Sequence, residues 1–187
     1  AAHDTLFTFG ENLGAPDCGV PVEQFRWLPT RQPVALDLWD QGPPVGGPAF
    51  TTITTWHNKG KDLEWKGDTW YWTKDREFEK FLDLPRRRAV PFELAATVDT
   101  QVKARLQQHG WRQTDSIAIS RDADLYRAYI QQSRGEFTVA RDQYVRPHTG
   151  WFSDRTACYL AAGRPVITQE TGFSKFLPAG RGLFGFR

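Results

Sequence analysis

From Phe50 onward, the apolar positions of the chain follow two alternating patterns. Short runs rich in β-branched and aromatic residues are typical of buried strands, and stretches with apolar positions three and four residues apart are typical of helices. Strands separated by helices favour right-handed β-α-β units, so the pattern predicts an α/β fold with a parallel sheet and flanking helices. The predicted strands are 50–56, 91–96, 113–119, 136–140, 165–168 and 183–186, and the predicted helices are 74–84, 99–109, 122–132, a short one between Ser153 and Gly163, and 174–176.

Capping residues support these helices. Thr73, Asp99 and Ser153 stand where a side-chain oxygen can accept hydrogen bonds from the first turn of a helix. Gly110 and Gly163 stand where a left-handed residue ends a helix. These signals predict where the helices begin and end.

The first 40 residues do not have the pattern of a separate domain. They predict three isolated extended pieces, at 6–9, 25–29 and 33–38, with a long loop rich in glycine and proline after the first piece. The dense glycine and proline of 41–48 predict a loop or linker. The expected organisation is a fragment of a second domain at 1–40, followed by an α/β domain at 41–187.

Composition narrows the class of protein. The chain has 187 residues, of which 25% are charged and 40% hydrophobic, as in soluble globular proteins. Its mean hydropathy of −0.56 and lack of a long apolar run predict no transmembrane segment. A net charge of +2 is too small to indicate a nucleic-acid partner. The two cysteines, Cys18 and Cys158, do not form a disulfide framework, which favours a cytoplasmic location.

The stretch from His148 to Thr171 carries the main chemical signal. A glycine turn containing Gly150 precedes a helix that begins at Ser153, Asp154 and Arg155. A helix N-terminus after such a turn favours an anion, because free N–H groups and the helix dipole both point towards the ligand. The helix dipole opposes Arg155, so this arginine is better explained by a bound anion or by a nearby carboxylate.

Loops at one edge of the predicted sheet could complete an anion site, because ligands of such sheets bind beyond the carboxyl ends of the strands. Arginine forks match phosphate oxygens, and the loop at 141–148 before the helix contains Arg141, Arg146 and His148. Lys59 and Lys61 lie in a glycine loop after the first strand of the domain, and Glu170 follows the strand ending at Thr168. Ordinary solvated loop charges explain these residues equally well or better. The other loops at this edge are 97–100 and 169–173, and two tryptophans, Trp56 and Trp151, could stack on a base or pack in the core.

Other kinds of site have little support. His57, His109 and His148 show no metal-ligand spacing with cysteine or carboxylate partners, so no metal is expected. The sequence also lacks a nucleophile elbow, a Walker loop and a dinucleotide-binding glycine motif.

Residues from about 50 to the end resemble the C-terminal, donor-binding domain of a GT-B-fold glycosyltransferase. The resemblance is carried by GWFSDRTACYLAAGRPVITQETGFSKFLPAGRGLFGF and by the basic loop NKGKD. The strings FTFGEN, WLPTRQPV, TTWHNKGKD and SRGEFTVA are similar to bacterial proteins labelled as glycosyltransferases. The resemblance implies a Rossmann-like sheet, an N-terminal segment that ends an acceptor domain, and metal-independent transfer of a sugar from a nucleotide-diphosphate sugar to an acceptor hydroxyl. The implied binding residues are Lys59, Lys61, Arg146, His148, Gly150, Ser153, Asp154, Arg155, Glu170, Thr171 and Gly172.

Two departures from this family pattern matter. Cys158 stands where many members have a glutamate that holds the ribose. Most of the acceptor domain, which usually supplies the general base, has no counterpart in these residues. We therefore expect donor binding without efficient transfer by this chain alone. The alternatives are a non-catalytic module that binds a protein or a glycan, and an epimerase that acts on nucleotide sugars.

Overall fold

The computed structural model describes residues 3–39 and 46–187, so most of the predicted loop at 41–48 lies outside the described residues. The described residues form ten strands: β1 (Leu6–Thr8), β2 (Trp27–Pro29), β3 (Phe50–Ile53), β4 (Leu63–Trp65), β5 (Asp68–Trp70), β6 (Phe92–Ala95), β7 (Arg112–Thr114), β8 (Gly135–Thr138), β9 (Val166–Gln169) and β10 (Leu183–Phe186). They also form seven α-helices: α1 (Asp75–Glu79), α2 (Leu84–Arg87), α3 (Thr100–Gln108), α4 (Ser116–Ser120), α5 (Ala123–Gln131), α6 (Asp142–Val145) and α7 (Asp154–Ala161).

Six strands form one parallel sheet in the order β10-β9-β8-β3-β6-β7. From β3 the chain moves outward through β6 to β7, then returns to β8 beside β3 and moves outward again through β9 to β10. This is the strand order of a Rossmann-like sheet, with a topological switch point between β3 and β8. The predicted α/β class, the parallel sheet and the flanking helices are confirmed.

Two apolar clusters bury the two faces of the sheet. One cluster joins Ile53 and Val166 of the sheet to Ile130 of α5 and Tyr159 of α7. The other cluster is mainly aromatic and contains Phe78, Phe92, Trp111 and Phe137. Both faces of the central strands are covered, and β8 is buried at all four of its residues although Glu136 and Thr138 are polar.

Several helix boundaries follow the predicted capping chemistry. Asp99 accepts a hydrogen bond from Val102 N at 2.8 Å at the start of α3, and Gly110 after that helix has a φ of +88°. Gly163 after α7 has a φ of +68°, as a left-handed end residue requires. These three predictions are confirmed.

Two predicted caps are wrong. The hydroxyl of Ser153 makes no capping bond and instead donates to Asp154 Oδ1 at 3.3 Å. The hydroxyl of Thr73 donates to Asp75 Oδ1 at 2.7 Å, and α1 likewise has no side-chain cap. In both cases the hydroxyl hydrogen is directed to a nearby carboxylate, since a charged acceptor strengthens a hydrogen bond, and the hydroxyl oxygen accepts no bond from the first turn of the helix.

Three predicted elements differ from the structure. The single helix at 74–84 is two short helices, because Pro85 lies in the first turn of α2, where a missing N–H costs nothing. The strand at 113–119 ends at Thr114, since Asp115 caps α4 by accepting from Ile117 N at 3.0 Å. The extended piece at 33–38 is a short 3₁₀ turn at Leu36–Leu38. Local capping and turn chemistry replaces the extended conformation in the last two cases.

Two small sheets lie outside the main one. β1 and β2 pair with each other in parallel, which provides the partner that these extended pieces require. β4 and β5 form a hairpin that the apolar pattern did not predict. Lys66 and Gly67, the two residues of its turn, both have positive φ, as in a type I′ hairpin turn. Among the described residues, the structure has no helix with the length and hydropathy needed to cross a bilayer.

Candidate anion-binding site

A cavity of about 530 Å³ opens at the carboxyl ends of β3 and β8, which is the topological switch point of the sheet. Ligands of Rossmann-like sheets bind in this crevice, because the chain leaves neighbouring strands in opposite directions there. The volume falls within the range of about 300–1,000 Å³ that small-molecule sites have. We call it the switch-point cavity, and its lining residues are Ile53, Thr54, Thr55, Trp72, Lys74, Ser116, Ser120, Tyr126, Arg141, Tyr144, Trp151, Ser153, Asp154 and Arg155.

Lys74 is a basic side chain of this cavity, with no hydrogen bond or ion pair among the described residues. It immediately precedes α1, after the hairpin of β4 and β5, and its side chain is partly buried. Burial lowers the pKa of Lys74 well below its usual value, and the nearby positive charge of Arg155 lowers it further. A bound anion would favour the charged form of this lysine.

Arg141 is a second basic side chain of the cavity, and it follows β8. Its guanidinium lies over the ring of Trp72, with Cζ 3.7 Å from the ring centroid. One terminal nitrogen donates to the Tyr144 hydroxyl at 3.4 Å, whereas the buried Nε has no hydrogen-bond partner among the described residues. A guanidinium held on an aromatic face and left without a carboxylate is suited to an anionic ligand.

Arg155 also lines the cavity, but its guanidinium is already engaged. Nε donates to Glu136 Oε1 at 2.5 Å, and the terminal nitrogens donate to Ile53 O at 2.9 Å and to Thr138 Oγ1 at 3.0 Å. Glu136 is fully buried in the middle of the sheet. Of the two explanations offered by the sequence, a nearby carboxylate therefore accounts for Arg155.

The start of α7 forms another wall of the cavity through Ser153 and Asp154. Because the Ser153 side chain makes no capping bond, the first N–H groups of this helix remain available at the positive end of the helix dipole. The Asp154 carboxylate is exposed in the same turn and adds a negative charge to this wall. The wall can donate to an anion through its backbone.

The structure thus brings together Ser153, Asp154 and Arg155, three of the predicted site residues. A fourth, Thr171, lines a small adjoining cavity with Lys74 and Ser153, and its hydroxyl donates to Trp151 O at 2.6 Å.

The other predicted residues do not line the switch-point cavity. Lys59 and Lys61 are exposed in their loop, and Lys61 Nζ lies 5.3 Å from the centroid of the Trp72 ring. Arg146 pairs with Asp142, with Nη2 2.6 Å from Oδ2, and lies over the ring of Trp70. Their roles towards a ligand stay predictions.

Four predicted residues instead shape the backbone near Asn12. The side-chain amide of Asn12 donates to His148 O at 2.7 Å, and His148 itself has a φ of +51°. Gly150 N donates to Thr171 O at 2.7 Å, and Gly172 N donates to Glu170 Oε1 at 2.7 Å. Positive φ values at Gly150 and Gly172 explain both glycines by conformation.

The structure shows where Trp56, Trp151 and Cys158 lie relative to the cavity. Trp56 is buried and stacks on Phe78 in the core, whereas Trp151 lines the cavity and stacks on Tyr144 at 4.8 Å. Cys158 lies half-buried in α7 and outside the cavity lining, and both cysteines are free thiols. The position where the resemblance places a ribose partner therefore does not face the switch-point cavity.

Lys74, Trp72 and Tyr126 are lining residues that sequence reasoning did not assign to the site. Lys74 was predicted only as the first residue of a helix, and Trp72 and Tyr126 were assigned no role at the site. The sequence signal that could have found Trp72 and Lys74 is the density of aromatic and basic residues from Trp70 to Arg76, at the start of the predicted helix.

No family model matches the chain, and a search of curated proteins gives no significant match. The function is therefore inferred from the geometry of the cavity.

Proposed function

We propose that this domain binds a nucleotide-diphosphate sugar in the switch-point cavity and acts as the donor-binding part of a glycosyltransferase. The observation that carries the proposal is the pair of basic side chains at the switch point, Lys74 and Arg141, neither of which bonds to a carboxylate among the described residues. With Arg155 already paired to Glu136, these two side chains supply the charge that a diphosphate needs.

The proposed position of the diphosphate is between Lys74, Arg141 and the first turn of α7. Backbone N–H groups at the start of α7 add donors that match phosphate oxygens. Because the cavity walls are partly buried, each of these interactions is stronger than it would be in water.

The nucleoside would occupy the part of the cavity lined by α4 and α5. Tyr126 offers an aromatic face there, and the hydroxyls of Ser116, Ser120 and Thr55 offer polar partners for a ribose or a base. These hydroxyls are a different means of holding the ribose from the glutamate that the resemblance places at Cys158. The base and the sugar remain open in this proposal.

In the transfer reaction, an acceptor hydroxyl attacks the anomeric carbon of the donor sugar, and the bond between that carbon and the diphosphate oxygen breaks. Negative charge then develops on the leaving nucleoside diphosphate. Lys74 and Arg141 would stabilise that charge through fixed positive groups, which is the main way in which enzymes lower such barriers. The general base is unassigned.

The first experiment is isothermal titration of the folded domain with UDP, GDP and dTDP, each compared with its nucleoside. We expect heat and a measurable Kd for at least one diphosphate, and much weaker binding of the matching nucleoside. Lys74→Met should weaken diphosphate binding by about 10–100-fold, because a hydrogen bond to a charged group contributes about 1.5–3 kcal/mol.

Lys103→Met is the matched control, since Lys103 is an exposed lysine of α3 that does not line the cavity. This variant should bind the diphosphate as the wild type does. No heat with any diphosphate, or equal losses in the two lysine variants, would contradict the proposal.

A further inference from the structure

A second cavity, of about 390 Å³, shares the stacked pair Tyr144 and Trp151 with the switch-point cavity as lining residues. Its walls come from the N-terminal segment, the hairpin of β4 and β5, and the loop around α6. We call it the aromatic cavity, because Trp65, Trp70, Tyr144 and Trp151 line it. Aliphatic residues complete the lining, among them Leu13, Val20 and Leu63.

The hydroxyl oxygens of Thr8 and Thr149 and the amide nitrogen of Gln143, which line the aromatic cavity, already have partners within the protein. Thr8 Oγ1 accepts from Gly10 N at 3.0 Å, and Thr149 Oγ1 accepts from Trp151 N at 3.2 Å. The amide nitrogen of Gln143 donates to Lys61 O at 3.0 Å and to Trp70 O at 2.7 Å. Few side-chain groups are left to bind the many hydroxyls of a sugar, which disfavours a sugar as the occupant.

The charge of the lining gives the second constraint on an occupant. Among the described residues that line the aromatic cavity, none carries a charged side chain. Two cations lie over lining rings without lining the cavity themselves: Arg146 lies over the ring of Trp70 and is bonded to Asp142, and Lys66 Nζ lies 4.5 Å from the centroid of the Trp65 ring. The charged side chains thus lie around the aromatic cavity and not in its lining, in contrast to the switch-point cavity.

We propose that the aromatic cavity is a binding site for an uncharged molecule with an apolar ring. Indole and phenol rings make large contact areas with such a ring, and edge or offset contacts between rings add attraction beyond area burial. The volume is within the range of small-molecule sites, which are mostly apolar with few polar groups. This site goes beyond the proposed function and does not depend on it.

The two cavities share a single pair of rings as their common wall. If the switch-point cavity holds the donor, a molecule in the aromatic cavity lies next to it. An acceptor with an apolar ring is then the ligand class that fits this position, and this assignment as acceptor rests on the proposed function.

The test uses 2-naphthol as the probe, in isothermal titration and saturation-transfer NMR with the whole chain. Leu63→Asp places a charge on an exposed part of the wall, and Val20→Trp fills the cavity. Both should weaken 2-naphthol binding at least tenfold. Leu125→Asp makes the same change at an exposed leucine of α5 outside the cavity and should leave binding unchanged.

Absence of 2-naphthol binding to the folded wild type, or equal binding by all variants, would overturn the proposal. Binding of methyl β-glucoside in place of 2-naphthol would also overturn it, since the cavity would then take a sugar ring. Saturating UDP should leave 2-naphthol bound, and competition between them would show a single shared site and overturn it. Failure of UDP to bind would contradict the proposed function alone and leave the 2-naphthol result standing.

Discussion

The buried pair of Arg155 and Glu136 gives a sharp prediction about stability. Substitution Arg155→Met removes all three hydrogen bonds of the guanidinium and leaves Glu136 with one long hydrogen bond, from Thr52 Oγ1 at 3.3 Å. Glu136 Oε2 already has no partner among the described residues. Loss of one partner from a buried ion pair costs about 3–5 kcal/mol, because the remaining charge is uncompensated.

Removing both charges should cost much less than removing one. In the double variant Glu136→Leu with Arg155→Met, apolar groups of similar size replace the pair, and stability should return to within about 1 kcal/mol of the wild type. The coupling between the two substitutions would then be at least about 2 kcal/mol, as expected for residues in direct contact.

Urea unfolding, followed by tryptophan fluorescence, measures these free energies. A loss below about 1 kcal/mol in the single variant, or strictly additive losses in the double variant, would refute the reasoning. A large loss of stability in the single variant would also affect how ligand binding is interpreted. Loss of nucleotide binding by Arg155→Ala would then report a damaged fold and not a lost contact with the ligand.

Three further predictions concern individual residues. Gly150→Ala should cost about 1–3 kcal/mol in urea unfolding, because φ is +77° there and an added Cβ would lie 2.5 Å from Asn12 N; an unchanged midpoint would contradict this. Asp99→Ala should cost about 1 kcal/mol through loss of the α3 cap, measured in the same way, and a neutral change would show that the cap contributes nothing. Burial raises the pKa of Cys158 to about 11, so alkylation of a Cys18→Ser variant by iodoacetamide should accelerate about tenfold per pH unit from pH 7 to 10, and a plateau below pH 9 would contradict it.

The sequence predicted those parts of the fold that depend on local patterns. The strand at 183–186 is observed at the same residues, and Asp99 and Gly163 act at helix ends as their chemistry requires. The alternation of strands and helices was sufficient to predict the parallel sheet. Where two local signals competed, as at Asp115, the capping carboxylate outweighed the β-branched residues after it.

The composition of the site depended on contacts between distant segments. Glu136 in a buried strand is itself a sequence signal, because a buried carboxylate needs a partner, but periodicity does not show that Arg155 reaches it. Lys74 enters the cavity only because the segment after the β4 and β5 hairpin passes the end of β3, where Asp75 N donates to Trp56 O at 3.1 Å. Such positions are set by tertiary packing.

Proton uptake during UDP binding tests the central claim most directly. Burial and Arg155 lower the pKa of Lys74 below its usual 10.5 in the unliganded protein, and a diphosphate beside it would raise the pKa again. At pH values between the pKa of Lys74 in the unliganded protein and its pKa in the complex, UDP binding should therefore be accompanied by proton uptake. The affinity for UDP should rise as the pH falls through that interval. Titration from pH 7 to 10, in buffers of different ionisation enthalpy, should show proton uptake that Lys74→Met abolishes and Lys103→Met retains. UDP binding with no proton uptake across this range, or with uptake unchanged in Lys74→Met, would contradict the assignment of Lys74 to the diphosphate.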